Sequence, residues 1–182
     1  MYPFAEPLSD LKHRIDRENY SLTEEDHTLL HNAYWDGNEN SISVALTIIC
    51  RKPDPAVMNI LLDACSPGSD WIERCDAAQA FSGLGEEGRK MLHIMLSREK
   101  HFKVRFYVQR ELIDIRDESM NPLLDGPIPP NSSPGQRSLW VYGNYERGDL
   151  STEEALAKIS KLLEDSKRRH DWLRDHINQS EA

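Results

Sequence analysis

The sequence predicts an all-α protein in which pairs of helices stack on one another. Apolar positions recur at an interval of 31 residues between about residues 22 and 117. Each interval holds two segments of helical length whose apolar residues follow a helical period. Short breaks such as "SPGS" at 66–69 separate these segments, which favours antiparallel neighbours.

The 31-residue register identifies candidate core positions. Three pairs of residues carry it: Leu61 with Leu92, Ala77 with Val108, and Phe81 with Leu112. In the opposite direction Leu61 falls on Leu30 and Phe81 on Cys50. We expect the six paired residues to be buried, because a helix pair hides its apolar stripes only against its neighbours. Trp71 aligns with Phe102, which favours a core position for Trp71 as well.

Capping signals bound the individual helices. Ser21 or Thr23 precedes a first turn rich in acids, Asp54 precedes Pro55, and Asp70 precedes an apolar segment. The predicted helices lie near residues 22–35, 41–52, 54–65, 70–84, 86–98, 102–117 and 152–177. The segment "DLKHRIDREN" predicts a further short helix that covers the front of the stack.

The register ends after Asp117. Residues 118–151 contain five of the ten prolines and four of the nine glycines, a composition typical of an irregular connection. Within it "SLWVYGNY" (138–145) could form a short strand or a docked turn. Ser151 or Thr152 then opens a long amphipathic helix, with apolar residues that include Leu156, Ile159, Leu163, Leu173 and Ile177. We expect this helix to cover the end of the stack.

The best-formed copy resembles a HEAT or armadillo-type repeat. The resemblance rests on an Asp that starts the second helix, an Arg four residues later, small residues, a large apolar residue and Leu-Gly. In this sequence they are Asp70, Arg74, Ala77, Ala78, Ala80, Phe81, Leu84 and Gly85. The resemblance implies an α-solenoid of about three helix pairs that binds partners along one face. The predicted organisation is a single domain over residues 1–182: N-terminal cap 1–21, repeats 22–117, irregular Pro/Gly-rich loop 118–150 and C-terminal capping helix 151–182.

No catalytic signature stands out. His27 and His31 lie four residues apart, but the chain has no H-E-x-x-H motif, no C-x-x-C, no glycine-rich phosphate loop and no G-x-S-x-G elbow. Cys50, Cys65 and Cys75 each fall in an apolar helical pattern, where a reduced cysteine behaves as a small hydrophobe. We expect a cytoplasmic protein that is not an enzyme and holds no metal or cofactor.

The net charge of −9 is concentrated in one part of the chain. Residues 18–73 hold ten acids but only two bases, Arg51 and Lys52. Nucleic acids and anionic membranes require a basic face, so we expect neither as a partner. A basic protein fits better, although the acids could equally form a solvated face that aids solubility. Tyr and Trp often anchor interfaces. The candidate contact residues are Glu24, Glu25, Trp35, Asp36, Glu39, Asp70, Glu73, Trp140, Tyr142 and Tyr145.

Two functions fit this pattern. Compact acidic proteins without catalytic residues look like bacterial immunity proteins, which cover a cognate toxin such as a nuclease. Because a nuclease active site holds phosphates and is basic, a carboxylate-rich surface can bind it quickly. The alternative is an intracellular adaptor or assembly scaffold that uses the same face. Both predict a monomer that enters a heterodimeric complex.

Overall fold

The computed structural model describes residues 3–16, 20–128 and 131–180, with side chains up to residue 167. The described residues are all-helical and contain no strand, as the sequence predicts. They form two compact units, Met1–Ile115 and Arg116–Ala182. The prediction that residues 1–182 make one repeat domain stays a prediction.

The first unit contains seven α-helices within its described residues. They are α1 (Ala5–Ile15), α2 (Glu24–Trp35), α3 (Glu39–Arg51), α4 (Met58–Ala64), α5 (Trp71–Ser82), α6 (Gly85–Arg98) and α7 (Phe102–Asp114). A 3-10 turn, Pro55–Val57, leads into α4. All the helices predicted for this part of the chain are therefore present, with bounds that differ by a few residues. The front helix α1 begins earlier than its sequence signal because Leu8 and Leu11 are both buried.

Side-chain caps start α2, α3 and α5, and the sequence predicts those of α2 and α5. Thr23, rather than Ser21, caps α2, and its hydroxyl forms a capping box with Asp26. Asn38 accepts a hydrogen bond from the backbone N–H of Ser41 at the start of α3. Asp70 does the same for Ile72 at the start of α5, with a donor–acceptor distance of 2.8 Å.

The helices repeat along the chain at nearly constant spacing. The first members of the three pairs begin at residues 24, 55 (with the 3-10 turn) and 85, and the second members begin at residues 39, 71 and 102. The paired helices contact one another, and α5 also contacts both α3 and α7, while α1 packs on α3 and α2. The six core residues predicted from the register are all fully buried, so that prediction is confirmed.

The second unit corrects the prediction of an irregular loop over 118–150. A 3-10 turn (Glu118–Met120) and α8 (Asn121–Leu124) are followed by α9 (Pro134–Glu146) and α10 (Thr152–Ser180). The segment 138–145 is thus helical and is neither a strand nor a docked turn. Ser133 caps α9 in a capping box with Gln136, and Pro134 occupies the first turn, where its missing N–H costs nothing. Gly143 lies within α9, where a Cβ atom would stand 2.4 Å from Cδ2 of Leu124.

The long helix α10 contacts α9 but leaves much of its apolar face exposed. Leu156, Ile159 and Leu163 are exposed, whereas Ala155 is buried. The side chains of Leu173 and Ile177 lie outside the described residues. Its predicted role as a cap of the helix stack stays a prediction. Within the described part of the chain, none of the helices combines the length and the hydropathy of a membrane-spanning segment.

Candidate functional site

The loops of the three helix pairs in the first unit lie along a common edge, which we call the hairpin edge. It comprises loops 36–38, 65–70 and 99–101, together with the helix ends that flank them. Three contacts join these loops across the pairs: Tyr34 to Asp63, Trp71 to His101, and Arg74 to Glu99. The edge therefore gathers residues that are about 30 positions apart in the sequence.

Trp35 is the most prominent apolar group on the acidic part of this edge. It ends α2, and 52% of the residue is exposed. Its ring meets that of Tyr34 edge-on, with the ring centroids 4.9 Å apart. The hydroxyl of buried Tyr34 donates a hydrogen bond to Oδ2 of Asp63 at 2.9 Å. The exposed Trp35 ring thus packs against Tyr34, and the Tyr34 hydroxyl is held by its hydrogen bond to Asp63 of α4.

Carboxylates lie close to Tyr34 and to Glu73. Burial raises the pKa of Glu73, and the negative charges of Asp70 and Asp63 raise it further. Burial, the hydrogen bond to Asp63 and the charges of Asp63 and Glu73 raise the pKa of the Tyr34 hydroxyl. Negative charge is therefore concentrated around Glu73, which senses Asp63 and Asp70 and is itself sensed by Tyr34.

The predicted contact residues of the first unit divide into two groups. Asp36 and Glu39 are exposed and follow Trp35, and Asp70 and Glu73 lie at the start of α5 on the same edge. Glu24 and Glu25 are also exposed but begin α2, whereas Trp35 ends it. At 1.5 Å per residue the two ends are about 16 Å apart. Only the first group therefore lies on the same edge as Trp35.

Among the described acids of residues 18–73, Asp26 is the one that is fully buried. Asp26 is buried and accepts hydrogen bonds from Arg14 at 2.9 Å, Tyr20 at 2.5 Å and the backbone N–H of Thr23 at 2.9 Å. Burial raises the pKa of this carboxyl, but these hydrogen bonds and the charge of Arg14 outweigh burial and hold the pKa below its ordinary value. Its charge is neutralised within the first unit. Another acid of the segment, Glu18, lies outside the described residues.

The other part of the hairpin edge is basic and aromatic, and it corrects the core position that the register favoured for Trp71. Phe102, its register partner, is 73% exposed, and Trp71 is only half-buried. The Trp71 ring stacks on His101 with centroids 5.7 Å apart, and Nζ of Lys103 lies 4.2 Å from its centroid. Both aromatic residues begin their helices, so they extend beyond the packed interior onto the edge.

The three remaining candidates belong to the second unit and lie on α9, not in a loop. Trp140 is half-buried, donates a hydrogen bond from Nε1 to the carbonyl of Gly126 at 3.0 Å, and has Nζ of Lys158 at 5.6 Å from its ring centroid. Tyr142 is half-buried and Tyr145 is exposed. A contact of these residues with a partner stays a prediction.

Sequence reasoning did not select Tyr34 or Asp63 as site residues, although a signal existed. The 31-residue register places Asp63 at the position of Asn32, near the end of α2. Equivalent helix ends of adjacent pairs lie side by side in a stack, so the register could have placed Asp63 beside Tyr34.

The cysteines and His27 are the remaining side chains of potential chemical interest in the first unit. Burial raises the pKa of Cys50 to about 12 and that of Cys75 to about 11, which disfavours a reactive thiolate. Nε2 of His27 lies 3.3 Å from Oδ2 of Asp54, and within the described part of the chain no three His, Cys, Asp or Glu side chains converge on a potential metal position. Comparison with known proteins found no matching family model, no matching curated protein and no matching solved structure.

Proposed function

We propose that this protein binds a basic protein partner through the acidic part of its hairpin edge. The observation that carries the proposal is Trp35: a large, half-exposed indole that packs on Tyr34 and lies on the edge that also carries Asp36, Glu39, Asp70 and Glu73. Aromatic anchors supply most of the binding energy at interfaces, and their surrounding charges select the partner.

The aromatic and acidic groups make different contributions. An exposed ion pair contributes only about 0.2–1 kcal/mol, so the carboxylates alone give weak binding. Burial of Trp35 against a partner slows dissociation, whereas the shared field of Asp36, Glu39, Asp70 and Glu73 speeds association with a cation-rich surface. Glu24 and Glu25 lie outside this group and contribute through the long-range field. Trp140, Tyr142 and Tyr145 remain candidates for a second contact.

Within this class, the proposal favours an immunity protein that neutralises a nuclease-type toxin. A nuclease must hold phosphates, so its active site carries the charge that an acidic surface complements. The alternative is an intracellular adaptor or assembly scaffold, whose partner would keep its activity in the complex. We propose a cytoplasmic monomer that acts without cofactor or catalysis and forms a heterodimer with its partner.

The same proposal includes a finer statement about the fold. We propose that the first unit is a short α-solenoid of three HEAT-like helix pairs. Its support is the recurrence of helix starts at residues 39, 71 and 102, together with the contacts of α5 with both α3 and α7. Such a stack places the loops of successive pairs along one edge, where they can form a continuous binding surface.

The test begins with capture of proteins from the native cell extract on the wild-type chain and on the W35A variant. A candidate partner is a protein that binds the wild type and is lost from W35A. The purified candidate is then titrated against the wild type, W35A and F102A, which removes the exposed aromatic side chain from the basic part of the edge. We expect W35A to weaken binding at least about tenfold and F102A to weaken it less than about threefold.

The same complex separates the two functions. A nuclease partner should lose its hydrolysis of nucleic acid at one equivalent of this protein, and W35A should restore that hydrolysis. An unchanged partner activity would favour the adaptor. An acidic partner, or equal binding by W35A and the wild type, would contradict the proposed surface.

A further inference from the structure

A second feature of the first unit lies between α4 and α6. It is an open groove with a volume of about 910 Å³. Leu62 of α4 forms one wall, and Met91, Ile94 and Met95 of α6 form the other. The spacing of the α6 residues places them on one face of that helix. Leu62 and Ile94 are exposed, so the groove presents apolar surface that the fold does not cover.

One end of this groove is positively charged. Its lining includes three cations, Arg74, Arg98 and Lys100, but only one carboxylate, Glu99. Glu99 is already engaged: Oε2 accepts from Nε of Arg74 at 2.9 Å, and Oε1 accepts from the backbone N–H groups of Lys100 and His101. Positive charge is therefore in excess at this end of the groove, in a chain whose net charge is −9.

We propose that the groove between α4 and α6 binds a small amphiphilic carboxylate, with its apolar body against Leu62, Met91 and Ile94 and its carboxylate at Arg98 and Lys100. Small-molecule sites are mostly apolar clefts of about 300–1,000 Å³ with a few convergent polar groups. The groove has a volume in that range, and its lining combines apolar side chains with a few charged ones. A carboxylate complements the excess of cations, which a cationic or neutral head group does not.

His101 provides an independent reason to expect a polar ligand at this end. It lines the groove, and its Nδ1 atom is buried without a hydrogen-bond partner. Buried polar atoms are nearly always paired, so an unpaired one calls for a ligand or a rearrangement.

This inference does not depend on the proposed function. The groove is lined by apolar and cationic groups, whereas the proposed protein-binding surface consists of Trp35 and carboxylates. A substitution that abolishes binding at one site therefore changes no residue of the other site.

The test uses the whole 182-residue chain, labelled with ¹³C at the methionine methyl groups. Decanoate is titrated below its micelle concentration, and decyltrimethylammonium, which has the same chain length and the opposite charge, serves as the control ligand. We expect saturable shifts at the Met91 and Met95 methyl groups with decanoate and about tenfold weaker binding of the cation. The methyl signals of Met58 and Met120 report whether each variant is folded.

Two matched pairs of variants locate the site. K100E should weaken decanoate binding about fivefold or more, whereas K90E, which reverses an exposed lysine of α6 outside the groove, should change it less than about twofold. I94S should weaken binding, and I72S, at an exposed isoleucine outside the groove, should not.

The proposal is wrong if both amphiphiles bind equally, if decanoate gives no saturable shift, or if K100E behaves like K90E. Preferential binding of an acidic, leucine-containing peptide over decanoate would also overturn it, because the groove would then be a protein-docking site.

Discussion

Replacing Arg74 with methionine should destabilise the protein strongly, although Arg74 lies in the first turn of α5, next to the loop that precedes it. The Arg74 guanidinium contacts Oε2 of Glu99 at 2.9 Å and donates a second hydrogen bond to the carbonyl of Ser69. Both charged side chains are only 12% exposed. This ion pair therefore joins the second and third helix pairs from a largely buried position. Methionine keeps the aliphatic stem but removes the charge and both hydrogen bonds.

The magnitude follows from what remains after the substitution. Breaking a buried ion pair by removing one partner costs about 3–5 kcal/mol, because the other charge is left without its counterion. Glu99 keeps two backbone donors, Lys100 and His101, at 2.8 and 2.7 Å, which offset part of that cost. We therefore expect R74M to lower the free energy of unfolding by about 2–3 kcal/mol.

The effect should also depend on pH with a defined sign. Burial raises the pKa of Glu99, but the N–H of His101, the charge of Arg74 and the N–H of Lys100 outweigh burial and hold this pKa below its ordinary value. A depressed carboxyl pKa contributes stability that is present above the unfolded-state pKa of about 4.3. That contribution is lost as the pH falls through the folded-state pKa. The difference between wild type and R74M should therefore shrink in acid.

The assay is urea denaturation followed by circular dichroism, for wild type, R74M, E99Q and the double variant at neutral and acidic pH. The double-mutant cycle should give a coupling energy of at least about 1 kcal/mol. A loss below about 0.5 kcal/mol for R74M at neutral pH would refute the reasoning, as would additive effects of R74M and E99Q. Either result would mean that the ion pair is solvated.

Three further substitutions probe the core, a close backbone contact and the acidic cluster. F81A should lower the free energy of unfolding by about 3 kcal/mol in chemical denaturation because the ring is fully buried; a loss below about 1 kcal/mol would contradict its core position. G88A should be destabilising, although Gly-to-Ala in a helix usually stabilises by about 1 kcal/mol, because the new Cβ would stand 1.9 Å from the Phe81 carbonyl oxygen; a raised Tm would disprove the close contact. E73Q should stabilise the protein by about 0.5 kcal/mol at neutral pH. Burial and the charges of Asp70 and Asp63 raise the Glu73 pKa, so the ionised carboxylate lowers the stability of the fold at any pH above its unfolded-state pKa. The stabilisation by E73Q should therefore vanish near pH 4, where Glu73 is protonated. A stabilisation that persists at that pH would have another cause.

The core could be predicted because it depends on a repeated local pattern. Leu61, Ala77 and Phe81 recur in register with later residues, and a helix pair that repeats must bury the same positions each time. The register failed at Trp71 and Phe102, which share a position but lie at the edge. There, stacking on His101 and the proximity of Lys103 determine the environment, and periodicity does not encode these contacts.

The helix α9 was missed because its composition resembles that of a loop. Pro134 and Gly143 normally interrupt helices, yet Pro134 lies in the first turn after the Ser133 cap. The S-x-x-Q pattern of Ser133 and Gln136 was a readable signal. The reason for a glycine at position 143 could not be predicted from the sequence, because it is the close approach of Leu124, a tertiary contact.

The sequence predicted which kinds of residues form the candidate surface, but not which acids belong to it. Charge counting located the acidic segment, and Trp35 stood out as an aromatic residue beside Asp36. The sequence did not show that Asp26 is neutralised by Arg14, because that contact depends on how α1 and α2 pack.

The most direct test of the proposed binding surface compares two pairs of exposed acids at opposite ends of α2. D36K/E39K reverses two charges beside Trp35, and E24K/E25K reverses two charges about 16 Å away along the helix. The rate of association with the purified partner is measured by stopped-flow at about 10 mM and about 150 mM salt. At low salt the screening length is about 30 Å, so both variants should associate slowly; at about 150 mM it is about 8 Å, and only D36K/E39K should remain slow. Equal rates for the two variants at the higher salt, or a wild-type rate for D36K/E39K at low salt, would contradict binding through the acidic hairpin edge.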